Sequence, residues 1–367
     1  MNTVAARRAE ALQAFERVGV PHRRVEDWKY TDIRADLGDK PLDAGAATWE
    51  LRGLSADTQL FDLKLLDVGA PEWVTSNFGR IARNRNAMDA ASFALSRAGF
   101  ALRIPGDAQI DLRWSGEGSA RGLIVLERGA ALTLSETVEA AGVQNIGVEF
   151  ALADGATLTH IRRDEVSFAV AVEEISASLA RDASYRGHFA NFGARLSRVD
   201  LALRLEGESA AARLSGVSVL DGERHADVTT RIDHIAGKTE STQLFKLIAG
   251  GRGRAVYQGK IVVHEGAMQS DSRQTAKGLL LGERAEIDLK PELEILADDV
   301  KCAHGAAVGD LDAESLFYLR SRGIPEAEAR ALLMRAFFED AVAAIADETI
   351  RAQIWEKVEA ALNGLKP

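Results

Sequence analysis

The chain of 367 residues contains a single cysteine, Cys302. No intrachain disulfide can form, which suits a reducing compartment. An iron–sulfur cluster takes about four cysteine ligands, and a structural zinc site about four Cys or His ligands. Any metal site built around this thiol must therefore borrow ligands from a partner or hold its cargo briefly. Proline is also scarce, with none between Pro105 and Pro291. Basic residues are in deficit, 45 against 55 acidic for a net charge of −10, which argues against nucleic acid as the main partner. No apolar run reaches the roughly 18 residues of a membrane span, and the N-terminus from Met1 to Glu10 lacks the apolar stretch of a secretory signal. A cytoplasmic protein without a membrane partner is expected. A content of 46% hydrophobic and 27% charged residues is that of an ordinary folded chain.

The proline-free block is filled with short apolar and polar alternations, at Leu123–Leu126, Leu132–Leu134, Leu201–Leu205 and Leu214–Val219. Turn pairs punctuate it at Asp154-Gly155, Glu206-Gly207, Asp221-Gly222 and Gly250-Gly251. Proline cannot donate to a β ladder, so the block predicts many strands joined by tight turns. It exceeds the ~100 residues of a typical β-sandwich. A pair of sandwiches, a barrel and a solenoid all fit this pattern. Before it, Ala6, Ala9, Leu12, Phe15 and Val18 predict a helix ending at Gly19. After it, Pro325 opens a helix with Glu326 and Glu328 in its first turn and an apolar stripe of Ala329, Leu332, Leu333, Ala336, Phe337 and Ile345. A second helix spans about 347–363. The expected division is a largely helical region 1–100, a β core 101–311 and a helical unit 312–367.

Nucleotide-binding motifs fail on spacing. Gly237-Lys238-Thr239 has Ile232 where a phosphate-binding loop needs glycine, and Gly251-Arg252-Gly253 has Val256 at the third position of a dinucleotide fingerprint. His264-Glu265 is followed by Met268 rather than a second histidine, so the zinc-protease pattern is absent. His225 and His234 read as structural side chains, and Trp28-Lys29-Tyr30 as an anchor for the terminal segment. Cys302 and His304 are the pair with chemistry to offer. In an extended segment they project to the same face while Ala303 turns away. Their Cβ atoms stand about 6 to 7 Å apart, too far for a thiolate–imidazole nucleophile. A neutral imidazole is a good borderline ligand for iron, whereas the alternative is a small core cysteine beside a turn histidine. Phe317, Tyr318, Arg320 and Arg322 either pack a helix or bind a partner, since they combine aromatics and arginines as protein interfaces do.

These segments, with Asp233-His234, Thr239–Ser241, Tyr257–Ile261, Leu279–Leu281, Pro291–Ile295, Asp298–Gly309, Phe317–Ile324 and the Glu26–Thr31 signature, resemble the SufB/SufD family of iron–sulfur cluster assembly proteins. Of its two paralogues the SufD type is the nearer. The resemblance implies a mainly β fold, a right-handed parallel β-helix flanked by helical N- and C-terminal parts. It implies a non-enzymatic scaffold that pairs with a SufB-like paralogue and docks a SufC-like ATPase on its C-terminal helices, as one SufB, two SufC and one SufD. ATP would be hydrolysed in SufC, with no nucleotide in this chain. By the same resemblance His304 faces SufB at a transient, shared cluster-assembly site with Cys302 beside it. Ala285 stands where SufB carries a sulfur-accepting cysteine. No residue pattern here speaks for or against a reduced flavin in the complex. Three other readings follow: a SufB-like scaffold subunit, a homodimer of the isolated chain through its free end strand, and a β-helix carbohydrate-active enzyme. The last would need a charged cluster on one face and usually a secretion signal.

Overall fold

The computed structural model describes residues 3–38, 42, 45, 47–82, 86–165 and 168–365; Met1 and Asn2 of the segment read for targeting lie outside them. The N-terminal part holds α1 (Val4–Val18), α2 (Ile33–Leu37), α3 (Leu66–Gly69), α4 (Glu72–Asn77), α5 (Ala87–Leu95) and strands β1 (Thr48–Arg52) and β2 (Gln59–Asp62). There follow β3 (Ala98–Ile104), β4 (Ala108–Leu126), β5 (Ala131–Leu152), β6 (Thr157–Asp164), β7 (Val170–Leu179), β8 (Ser184–Asn191) and β9 (Leu196–Leu205). Next come β10 (Ala211–Leu220), β11 (His225–His234), β12 (Glu240–Ala249), β13 (Arg254–Val263), β14 (Asp271–Leu280), β15 (Glu286–Ile295) and β16 (Lys301–Gly309). Helices α6 (Ala313–Ser321), α7 (Glu326–Ala343) and α8 (Glu348–Gly364) come last.

From β6 onward each strand pairs in parallel with the next but one, giving a face β6-β8-β10-β12-β14-β16 and a face β7-β9-β11-β13-β15. The long β4 and β5 run through both faces. This is the solenoid, a parallel coil stacked about a lumen, and it takes the place of the sandwich and barrel. The turns expected at Gly222 and Gly251 adopt φ of +66° and +58°, a region where a side chain is strained. Inward columns such as Leu132, Leu158, Tyr185 and Ala212 fill the lumen without gaps in register. At the N-terminal end β1 and β2 add antiparallel to β4 and β3 and cover both edges. At the other end, among the described residues, β15 and β16 are each paired on one side only.

Two helical stripes differ from the sequence pattern. In α1 the buried residues are Val4, Arg7 and Ala11, while Leu12 and Val18 are exposed. Arg7 reaches inward to donate to the carbonyls of Thr75 and Phe78, both at 2.9 Å, so a charged residue takes a core place that an apolar pattern cannot announce. In α7 Ala329 and, just beyond the helix, Ile345 are buried as the stripe has them, whereas Leu332 and Ala336 are exposed and Met334, Phe338, Ala341 and Val342 take the other core places. Phe338 and Val342, with Ile350, Ile354 and Val358 of α8, cover Ile161, Val217, Val219 and Ile248 on the outside of the first face. Lys246 of β12 pins this contact, donating to the Phe337 carbonyl and pairing with Asp340, each at 2.5 Å. Lys246→Met keeps the stem but removes the second donor to that carbonyl and the ion pair to Asp340. A loss of about 1–3 kcal/mol is expected, read as a lower urea midpoint with faster amide exchange confined to α7 and α8.

Candidate functional site

The site lies at the open end of the coil, on β16. Gln274 is in register with His304, and Ser272 with Cys302. Ser272 and Gln274 are buried while Arg273 between them is exposed, so Cys302 and His304 continue the inward columns at the lumen mouth. The expected common face is thus present. The two side chains differ in setting. Cys302 is half-buried and packs on a small apolar cluster of Ile261, Val263, Ala267 and Ala297. His304 is exposed. Among the described residues no group of three or more His, Cys, Asp or Glu side chains is placed to hold a metal ion.

The backbone of β16 is as informative as its side chains. Lys301 donates its N–H to the Ser270 carbonyl at 2.9 Å. Along a parallel strand the N–H and C=O of one residue face the same neighbour and alternate. Ala303, Gly305 and Ala307 therefore bond to β14, whereas Cys302, His304, Ala306 and Val308 present theirs to the open edge. On β15 the Glu286 N–H donates to Gly253 at 3.0 Å, which turns Pro291 to the open side, where it has no N–H to offer. Proline and a run of charges, Glu286, Asp288, Lys290, Glu292 and Glu294, blunt that edge as isolated edges are usually blunted. β16 carries Lys301 as its one charge and no proline.

Behind His304 the lumen is polar, which spacing along the chain did not reveal. Gln243 is in register with Gln274 one coil above. The Gln274 amide donates to the Tyr257 hydroxyl at 2.9 Å, Tyr257 donates to Gln243 Oε1 at 3.1 Å, and Thr230 to the same oxygen at 2.7 Å. Burial pushes the Tyr257 hydroxyl up to about 12, so it stays a donor. Gly259 leaves room for this network, because a Cβ at that position would lie 1.6 Å from the Gln274 amide nitrogen and 2.6 Å from the Tyr257 hydroxyl. The signal would have been polar residues recurring at equal places in successive coils, which needs the register to be known.

The other residues singled out fall into place. Phe317 and Tyr318 on α6 are 72% and 56% exposed, and no residue of α6 is buried. Arg320 pairs with Glu326 at 3.4 Å, and Arg322 lies 5.2 Å from the Tyr318 ring centroid. They form one exposed group and do not pack the core. His234 is buried between Thr239 and Ser241, at 2.8 and 2.9 Å, and burial lowers its pKa to about 4. His264 caps Asp233 at 3.0 Å. Ala285 packs on the core before β15.

The Glu26–Thr31 segment is a strap across the second face. Trp28 is fully buried with the Arg198 guanidinium 3.9 Å from its ring centroid. Arg198 donates to Asp27 O at 2.7 Å, to Asp227 at 2.5 Å and to Asp200 at 3.1 Å. Thr31 donates to Asp227, Gln258 donates to Asp27 O, and Glu26 pairs with Lys290. Burial opposes the charge on Arg198, yet Asp227, Asp200 and Glu174 together raise its pKa above the ordinary value. The strap so ties β9, β11, β13 and β15 together.

The coil thus has two sheet edges covered, one blunted and one left free. The family model for SUF system FeS cluster assembly, SufBD core domain, matches residues 115–337, and that for the SufBD protein N-terminal region matches 1–39. The chain is 30% identical to the iron-sulfur cluster assembly protein SufD of Escherichia coli, over 96% of this chain and 92% of that one. It is 35% identical to a SufBD family protein of Synechocystis, over 59% of this chain and 50% of that protein, and 27% identical to one of Mycobacterium tuberculosis, over 95% and 90%. The chain belongs to the SufBD family of iron–sulfur cluster assembly proteins, and its fold is the parallel β-solenoid with flanking helices that the resemblance implied.

Proposed function

We propose that this chain is the SufD-type subunit of a SUF scaffold: it adds a strand of a SufB-like paralogue to β16, receives a SufC-like ATPase on its C-terminal helices through Phe317, Tyr318, Arg320 and Arg322, and lends His304 to a transient cluster shared with SufB. The chain itself is non-enzymatic, and ATP acts through SufC by repacking the interface. The free edge of β16 carries this reading. The residues that offer unpaired backbone groups there, Cys302, His304 and Ala306, are the same ones whose side chains face the lumen mouth. A partner strand hydrogen-bonded to them would bring its own inward side chains beside the imidazole, supplying the ligands this chain lacks.

Backbone parity makes the test sharp. Ala306→Pro removes a donor from the open edge and none from the β14 ladder, so the isolated chain should keep its stability while copurification with the SufB-like subunit falls about tenfold or more. Ala307→Pro removes a β14 bond instead and should destabilise the chain itself. Equal effects of the two variants, or a complex undisturbed by Ala306→Pro, would place the partner elsewhere.

A further inference from the structure

A cavity of about 350 Å³ lies between the outside of the first face and the turn that joins α7 to α8, a size in the range of small-molecule sites. Its floor is a grid of outward side chains from β6, β8, β10 and β12. One column, in register, is Thr159, Arg186, Arg213 and Thr242; the next is Ile161, His188, Ser215 and Leu244. Ile345 and its neighbours Ala344 and Ala346 form the roof.

Two observations point to an anion. Arg186 and Arg213 stand directly opposite on adjacent strands, about 4.8 Å apart in the backbone, where like charges repel. Glu240 partly answers Arg213 at 3.5 Å, whereas Arg186 has no ion-pair partner among the described residues. Beside them His188 is 4% exposed, accepts or donates at Ser215 Oγ (2.8 Å) through Nδ1, and leaves Nε2 without a partner among the described residues. A buried ring nitrogen with nothing to bond is costly unless something fills the space in front of it. Around this polar centre the lining is apolar: Ile161, Leu244 and Ile345.

We propose that this cavity binds a small amphipathic monocarboxylate, its carboxylate between Arg186, Arg213 and His188 Nε2–H and its hydrocarbon body against Ile161, Leu244 and Ile345. Ser215 then donates to His188 Nδ1 and fixes the tautomer that presents Nε2–H. The site is separate from the lumen mouth and does not rest on the assembly role. Because Ile345 belongs to the roof, occupancy would also hold α7 and α8 against the coil.

The test is calorimetric titration of the full chain with octanoate, octanol and acetate. Octanoate should bind once per chain, with octanol and acetate each weaker by about tenfold or more, the one for want of charge and the other for want of apolar surface. Arg186→Ala, on an exposed side chain that the fold does not need, and His188→Leu, which preserves bulk, should each weaken octanoate about tenfold. Octanoate should also slow amide exchange at Ile345. Absence of saturable octanoate binding, or binding that neither variant weakens, would overturn the proposal.

Discussion

His304→Ala abolishes the build-up of iron and sulfide on the assembled complex and leaves both the complex and the fold intact: this is the result expected if the imidazole is a ligand. His304 is exposed at the lumen mouth, and its side chain takes part in none of the buried networks that hold the coil. Substitutions at such positions change stability by about 0.5 kcal/mol or less. The backbone groups that would receive a partner strand are untouched by the change. Only a coordinate bond is removed, and a cluster site that counts on a borrowed imidazole is left one ligand short. The measurement is iron and sulfide content with the visible absorption spectrum, on chain purified without oxygen, once alone and once coexpressed with SufB- and SufC-like partners. Iron and sulfide should appear in the complex alone. A complex that fails to form with His304→Ala would make the histidine structural, and a cluster held stably by the isolated chain would defeat the shared site.

The strands were legible because their signals are local: a block free of proline, alternation within each strand, and glycine where the turns require it. Their pairing was not, because in a coil each strand bonds to the next but one and no neighbour in sequence reports its partner. Gln243, Gln274 and His304 form one column only once the register is fixed, so the polar lumen stayed hidden while the terminal histidine was visible through its nearness to Cys302. The asymmetry of the two edges was likewise hidden. Pro291 and Cys302 could both be read from the sequence, but which way each backbone N–H points depends on the ladder. The Trp28 segment was legible as an anchor and not in its chemistry. An arginine reads as surface, yet Arg121, Arg162 and Arg198 are among the largest fully buried side chains, each beside carboxylates from another element. Helices α1, α7 and α8 were legible, but part of their buried faces was not: in α1 Arg7 takes a place that hydrophobic periodicity assigns to an apolar residue, and in α7 Met334 and Phe338 are buried where the stripe put Leu332.

The largest loss of stability is expected at Arg198, whose guanidinium joins the strap to the coil. Arg198→Met keeps an apolar stem but removes the guanidinium that lies over Trp28 and leaves Asp227 and Asp200 buried with their main positive partner gone. Breaking a buried ion pair from one side costs about 3–5 kcal/mol, so the urea midpoint should fall sharply. Trp28 fluorescence should shift to the red before the sheet unfolds, as the strap detaches first. Arg198→Lys should recover only part of this, because an ammonium cannot donate to Asp27 O, Asp200 and Asp227 as a planar fork while stacking on the indole. The double variant Arg198→Met with Asp227→Leu discriminates between two causes. If the cost lies in a stranded carboxylate, removing Asp227 as well should restore a good part of the midpoint, since a buried pair is replaced with little penalty once both charges go. Thr31 would lose its acceptor in that variant, so recovery should be incomplete. If the cost lies instead in the lost stack on Trp28, the double variant should be no better than Arg198→Met, and the strap would be held by its indole and not by charge.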